Sequence, residues 1–431
     1  MKITFVNHAS LIFEHQSISL ITDPWIEGNV FDNGWSLLSN SKFKYQDFNK
    51  VTHIWFSHEH PDHFSPPNLK KIPQEIRKKI TILFQKTRDK KVVEFCNQLN
   101  FKETIELTAE KEYLLGPNFK LINSPFGHDS WLYIQTEQYS FLNTNDCVIK
   151  TAKQAKKIKA IVGKIDILLT QFSYAGKHGN TKQRDKRVQA IKHQKKQLKV
   201  QFSEFKPSIF IPIASFIWFS HQENFYMNDE IFTVDEVASF SLKNKIKPVV
   251  LYPGDIYQAG ENHDNVKSIN KYIYDFRQIK FKNTTKTISI PFNEIKKAFK
   301  KLQFQIIKKD FLYFIYISFF PIKFYLTDLD KTLKLSFLTG LRVVKQKEED
   351  SNIKLTTEVL AYCLKFYWGF NTISVNARYQ TVTDSDEKLL NKYETLTTSL
   401  NHSVRFHDKI ASTIRRSINK ISFKRIIYLF K

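Results

Sequence analysis

Residues 57–63 read Ser-His-Glu-His-Pro-Asp-His. His58, His60, Asp62 and His63 fit the pattern His-x-His-x-Asp-His, three imidazoles and a carboxylate within six residues. The run in front, His53-Ile54-Trp55-Phe56-Ser57, has the apolar continuity of a buried strand. The cluster therefore falls where a strand runs out into a loop. Neutral imidazoles and carboxylates suit zinc and neighbouring transition metals. Four such ligands on one turn cannot all reach one ion in good geometry, but they can divide between two ions a few ångströms apart. The pattern predicts a dinuclear site, which can lower the pKa of a bound water and clamp an oxyanion. A solvated histidine-rich loop is the competing reading. The apolar strand before it, the proline inside it and the strict spacing argue against that.

The chain has 431 residues, room for two or three domains of about 150 each. With 42% apolar and 14% aromatic residues it can bury a large core, which excludes the disordered classes. Met1-Lys2-Ile3-Thr4-Phe5 goes straight into a strand pattern with no signal-peptide character. The longest apolar stretch, Phe311 to Phe320, is too short to span a bilayer. Cys96, Cys147 and Cys363 lie far apart and form no disulfide framework or metal knuckle, so a cytoplasmic location is expected.

Net charge is 66 − 42 = +24. It is concentrated: residues 151–206 carry fifteen Lys/Arg against three acids, and residues 401–431 carry eight against one. This suggests an anionic partner, a nucleotide, a phospholipid surface, a polyanion or nucleic acid. A compositional bias toward lysine is the alternative. No nucleic-acid recognition module is visible, so specific nucleic-acid recognition is not expected.

Short strands separated by turns fill the first 150 residues: Lys2–Val6, Ser10–Glu14, Ser17–Thr22, His53–Ser57, Ile80–Gln85, Phe119–Asn123, Trp131–Thr136 and Tyr139–Leu142. Helices are predicted over Pro67–Lys79, Asp89–Leu99, Ala152–Val162, Lys182–Phe202 and Val234–Leu242, with strands at Asp166–Thr170, Ser208–Ile213 and Pro248–Tyr252. The interleaving predicts an α/β chain with two sheets flanked by helices over residues 1–262. Residues 263–431 read as a separate α+β accessory domain. There, Phe311–Leu326 suggests a hairpin turning at Pro321, Leu333–Phe337 a strand, Thr357–Lys365 a helix and Thr372–Tyr379 a strand. The tail Ile414–Phe430 is an amphipathic basic helix that could lie on an anionic membrane as a peripheral contact.

A second metal site needs ligands from elsewhere. His128, in Ser124-Pro125-Phe126-Gly127-His128-Asp129, and Asp146, in Asn143-Thr144-Asn145-Asp146-Cys147, both stand at strand ends. With the first cluster they give an order that resembles the metallo-β-lactamase fold superfamily over about residues 1–258. The resemblance implies an αββα sandwich with two divalent transition metals at one edge. Zinc is favoured, with iron or manganese as alternatives. It assigns His58, His60 and His128 to the first metal and Asp62 and His63 to the second, with Asp146 bridging. Many members complete the second metal with a late histidine after a Pro-Ile strand end. Here that stretch reads Ile211-Pro212-Ile213-Ala214-Ser215, and His221 is the next imidazole.

The flanks narrow the resemblance. Asp23-Pro24-Trp25-Ile26-Glu27-Gly28, Phe31, Gly34-Trp35, the Asn143–Cys147 stretch and Phe216–His221 are similar to the catalytic core of CMP-N-acetylneuraminate hydroxylases. The C-terminal part is similar, more loosely, to the region after that core and to sterol-carrier-like folds. Those hydroxylases carry a Rieske cluster, which needs two Cys and two His. No Cys-x-His pair occurs in this chain, so oxygenase chemistry here would need a separate redox partner.

The expected activity is hydrolysis of an anionic phosphorylated or sugar-containing substrate through a metal-bound hydroxide positioned by Asp62 and Asp146. An oxygenase acting on a nucleotide sugar, and a non-enzymatic protein on a polyanion or membrane surface, are the alternatives. Trp25, Lys177 and His178 are candidate substrate contacts, and Lys/Arg within 177–199 could steer an anion. Asp23 could orient a metal ligand from behind. His8 faces either the metal rim or a structural hydrogen bond, while His402 and His407 read as surface groups.

Overall fold

The computed structural model describes residues 1–345 and 347–409. It divides into two units, at Thr285.

The first unit is built on two seven-stranded sheets. One runs Ile256–Gln258, Lys2–Asn7, Ser10–His15, Ile18–Thr22, His53–Phe56, Thr81–Gln85, Glu103–Leu107. The other runs Lys247–Pro248, Ile209–Ile213, Ile167–Gln171, Ser140–Asn145, Asp129–Gln135, Phe119–Phe126, Glu112–Gly116. Each is antiparallel in one half and parallel in the other. The parallel strands are near-continuously buried, as expected when both faces of a sheet are covered. The sheets pack face to face. Phe13 meets Phe141 edge-on at 5.7 Å, and the Trp55 indole N–H donates to Asn123 Oδ1 at 3.0 Å. Helices such as Ala152–Val162 and Arg184–Phe205 flank them, giving the αββα sandwich.

The parallel strands matter most for function. His53–Phe56, Ser140–Asn145, Ile167–Gln171 and Ile209–Ile213 all deliver their carboxyl ends to loops, where ligands collect in α/β sheets. Helix Asn265–Gln278 packs on this unit. Tyr272 stacks on Phe216 at 4.3 Å and donates to the Leu251 carbonyl at 2.8 Å. The unit thus extends past the expected end at 262.

The second unit is α+β. Helices Phe292–Lys309 and Phe311–Ser318 precede a five-stranded sheet ordered Gly340–Val344, Lys331–Ser336, Ile322–Leu326, Ile353–Leu355, Gln380–Thr381. Helices Thr357–Lys365, Gly369–Asn376 and Asp384–Asn401 complete it. Two sequence expectations fail here. Phe311–Ser318 is a helix, not the first arm of a hairpin, because Asp310 caps it by accepting the Tyr313 N–H and Tyr313 and Ile317 fall on one buried face. Thr372–Tyr379 is not a strand. Phe370, Ile373 and Ala377 are buried at helical spacing, and Gly369 lets that helix approach the Cys363 backbone, where a Cβ would clash at 2.5 Å. Packing overrides the alternation of β-branched residues. The expected tail helix at 414–430 lies outside the described residues. Among those described, no helix is long and apolar enough to cross a membrane.

Candidate metal centre

The Ser57–His63 turn leaves strand His53–Phe56 and folds back on itself through the His63 and Phe64 N–H groups, which both donate to the His60 carbonyl. This turn aims its side chains at the gap between the sheets. Asp62 Oδ2 lies 3.2 Å from His63 Nε2, and Asp146 Oδ2 lies 3.3 Å from the same nitrogen. His8 Nε2 is 3.4 Å from Asp62 Oδ2. His58 Nε2 is 2.9 Å from His60 Nδ1 and 3.6 Å from Asp129 Oδ1. Two groups bring one donor atom per residue within 4.8 Å of each other: His8, Asp62 and His63, and His58, His63 and Asp146.

Several donor atoms here lie close to one another without a hydrogen bond in good geometry. His8 Nδ1, Asp62 Oδ1, His63 Nε2 and Asp146 Oδ1 are buried without a hydrogen-bond partner. Buried polar atoms are nearly always paired, and an unpaired one costs about 1–3 kcal/mol. Donors gathered in two adjoining groups that share His63, all of them nitrogen or carboxylate oxygen, fit transition-metal cations.

Asp23 supports the centre from behind. It is fully buried, its Oδ1 accepts the Ser57 N–H at 2.7 Å, and its Oδ2 accepts the Ser57 hydroxyl at 2.8 Å and the Asn145 amide. The same Oδ2 lies 3.1 Å from His63 Nδ1, so His63 presents Nε2 to Asp62 and Asp146. A carboxylate behind a ligating histidine fixes its ring and raises its basicity. His8, Asp23, Asn145 and Ala214 all adopt positive φ, between 40° and 54°. Left-handed backbone at non-glycine residues is uncommon and collects at functional sites.

Electrostatics follow from burial. Burial, and then His63, pushes the His58 imidazole down to about 4. Burial alone would lower His63 too, but the Asp62, Asp146 and Asp23 carboxylates hold it well above its ordinary value. Burial tends to raise Asp62; His63 outweighs it and keeps the carboxyl well below the usual range. Burial, with Asp146 adding, lifts Asp129 to about 6.

The residues singled out in the sequence divide. His58, Asp62, His63 and Asp146 come together, and His60 stands against His58. His128 occupies an exposed two-residue turn between Phe119–Phe126 and Asp129–Gln135 and is in neither group. Its neighbour Asp129 is the residue that reaches His58. His221 is buried, takes the Glu223 N–H on Nδ1 at 3.2 Å, and is also in neither group. His8 stands beside Asp62 and His63 instead. Its carbonyl accepts the N–H of Ala214, the residue at the late-histidine position, at 3.0 Å. Nothing local marks His8 as a ligand: it reaches the centre only because the first strand lies beside the end of Ile209–Ile213.

Trp25 needs correction as a substrate contact. It is fully buried, its indole N–H is used by the Glu27 and Gly28 carbonyls, and its ring stands 5.5 Å from His8. It forms the wall behind His8. Lys177 and His178 follow strand Ile167–Gln171, whose partner in register is the strand that ends at Asn145. Phe172 and Ser173 N–H groups donate to Ser215 Oγ, tying that loop to the Ala214 strand end. Lys177 reaches Asn180 Oδ1 at 3.3 Å, and His178 packs on Tyr174 at 5.1 Å, its pKa lowered to about 4 by burial and then Lys177. Part of the basic run is structural. Arg187 is buried, pairs with Asp229 at 2.6 Å and binds the Asn180 and Thr181 carbonyls.

Known proteins share parts of this sequence. A protein named "Putative Rieske 2Fe-2S iron-sulfur protein" of Mycolicibacterium smegmatis is 25% identical over 186 residues, 41% of this chain and 35% of that protein. The cytidine monophosphate-N-acetylneuraminic acid hydroxylase of Xenopus laevis is 24% identical over 284 residues, 60% of this chain and 46% of that enzyme. The chain thus spans between a third and a half of the length of these relatives. Among solved structures, CmlA, a diiron β-hydroxylase from Streptomyces venezuelae, overlays at a TM-score of 0.44 with 13% identity, over 60% of this chain and 54% of that one. Residues 2–192 match the Beta-lactamase superfamily domain, and the N-terminal unit has the metallo-β-lactamase fold.

Proposed function

We infer that the N-terminal unit is a metal-dependent hydrolase acting on an anionic phosphorylated or sugar-containing substrate. The convergence of unpaired, buried His8, Asp62, His63 and Asp146 donors carries this reading. One ion would be held by His8, Asp62 and His63; a second would draw on His58 and Asp146, with His60 and Asp129 beside His58. Metals so held polarise a substrate oxygen and make a nucleophile available near neutral pH. The chain's own residues do the rest. Asp23 and Ser57 fix the rings of His63 and His58, so the donors need no reordering when substrate arrives. Trp25, fully buried, packs edge-on against the His8 ring. Lys177 and Lys182, on the loop after Ile167–Gln171, supply positive charge for an anion.

The names of the sequence relatives support a second reading, an oxygenase using iron at the same ligands and electrons from a separate protein. One experiment separates the readings. Protein purified without added metal is assayed for metal per chain, then for turnover of phosphomonoesters, phosphodiesters and glycosyl phosphates with and without oxygen. Metal-dependent turnover that ignores oxygen and is lost in Asp62→Ala supports hydrolysis. Iron with oxygen-dependent turnover of a nucleotide sugar overturns it, and so does protein that takes up no metal.

A further inference from the structure

The second unit exposes what a surface in water normally hides. Helix Phe311–Ser318 reads Phe-Leu-Tyr-Phe-Ile-Tyr-Ile-Ser, with no charged residue. Tyr313 and Ile317 fill its buried face. At 100° per residue Phe311, Leu312 and Ile315 fall on the opposite face, and Phe319 follows just past the helix end. Phe311 is 57% exposed, Leu312 49% and Phe319 73%. Helix Phe292–Lys309 continues the pattern. Its buried stripe is Ile295, Phe299, Leu302 and Ile306. Phe304, 66% exposed, sits near the middle of the opposite face, with Ile307, Lys297, Lys300, Lys301 and Lys308 around it. Residues 295–325 hold seven lysines and a single acid, Asp310. That acid is buried, and its oxygens accept the Tyr313 and Phe406 N–H groups, so it offsets none of the outward charge.

We propose that the outward face of residues 304–319 docks on an anionic phospholipid surface, with Phe304, Phe311, Leu312, Ile315 and Phe319 in the headgroup–acyl boundary and the lysines on the headgroups. A helical surface with large apolar side chains on top and lysines at the rim is the form that lies in the interface plane. Charge complementarity selects this occupant. A second copy would bring the same lysines against each other. Residues 410–431 carry six Lys/Arg and no acid, so they too repel the rim and favour the same anionic surface. Each lysine near such a surface adds attraction, and the apolar side chains hold the contact when salt weakens it.

The test uses the full chain and sonicated vesicles of phosphatidylcholine, with or without phosphatidylserine. Co-sedimentation with the serine-containing vesicles is expected. Phe311→Ser with Phe319→Ser should weaken partitioning about tenfold or more. Lys300→Gln, Lys301→Gln and Lys308→Gln together should weaken it similarly and flatten its salt dependence. A Phe319→Trp reporter, whose emission should shift blue on vesicle addition, reads insertion directly whatever the stability of the serine variants. Three results overturn the proposal. The first is equal binding to pure phosphatidylcholine. The second is binding that survives the serine pair but vanishes on truncation after Lys409. The third is emission from the Phe319→Trp variant that vesicles leave unmoved while sedimentation shows a dimer dispersed by the serine pair.

Discussion

The metal edge of the first unit and the outer face of Phe311–Ser318 invert the same rule in opposite senses. At the edge, four donors on His8, Asp62, His63 and Asp146 are buried without partners. On the helix, Phe311, Leu312 and Ile315 stand in solvent while Asp310 is buried and capped. Folding alone favours neither. Unpaired buried polar atoms cost stability, and exposed large apolar side chains gain nothing from water. Such inversions persist where something outside the chain completes them, a cation in one case and a surface in the other. The two differ in what the fold invests around them. The edge is held by Asp23, Ser57, Asn145 and left-handed backbone at four strand ends, so it is pre-shaped. The helix face has no scaffold beyond its own period.

That difference orders the consequences of substitution. The largest effect is expected at the edge: His58→Ala with His60→Ala should strip the second ion and leave the one beside His8, Asp62 and His63, measured as metal per chain after purification. Full retention would remove these histidines from the site. Next comes the buried side of the helix. Ile317→Ala should cost about 2–5 kcal/mol in denaturant unfolding, the usual range for truncating a core isoleucine. An unchanged midpoint would mean that this helix does not pack as described. Asp23→Asn keeps the size of the side chain and removes its charge. Metal affinity should fall about 10–100-fold, read by competition with a chromogenic chelator. An affinity equal to the parent would reduce Asp23 to a turn residue. The smallest effect is expected on the exposed side of the same helix, where Ile315→Ser should shift stability by no more than about 0.5 kcal/mol. A cost as large as that of Ile317→Ala would show that the outer face is covered by the chain itself and would break the contrast.

What can be read in the sequence follows the range of the interactions. His58, His60, Asp62 and His63 are legible because one turn supplies all four, so spacing alone fixes their proximity. Asp146 is legible as a polar residue just past a strand. The sandwich itself is legible from apolar runs interleaved with helical spacing. His8 stands out in the sequence without an assignment, because its place beside Asp62 depends on the first strand lying next to Ala214, a pairing between residues far apart in the chain. Nearness in sequence to Ala214 favours His221, which packs instead against Glu223. The failure at 372–379 has another cause. Ile373 and Val375 favour a strand locally, and the space beside Cys363 that admits a helix beginning at Gly369 is a tertiary fact.

The pairing of Lys2–Asn7 with Ile256–Gln258, in register from Lys2↔Gln258 to Thr4↔Ile256, has a consequence for biosynthesis. The strand is flanked on its other side by Ser10–His15, which leaves the ribosome almost at once. Its remaining edge must wait until residue 258 has emerged, on the order of tens of seconds at elongation rates of about 5–20 residues per second. During that time the nascent sheet presents one open row of amides and carbonyls, the geometry that recruits stray strands. His8, which follows this strand directly, therefore takes its final position late. Nascent chains stalled before residue 256 should still be taking shape at the metal edge.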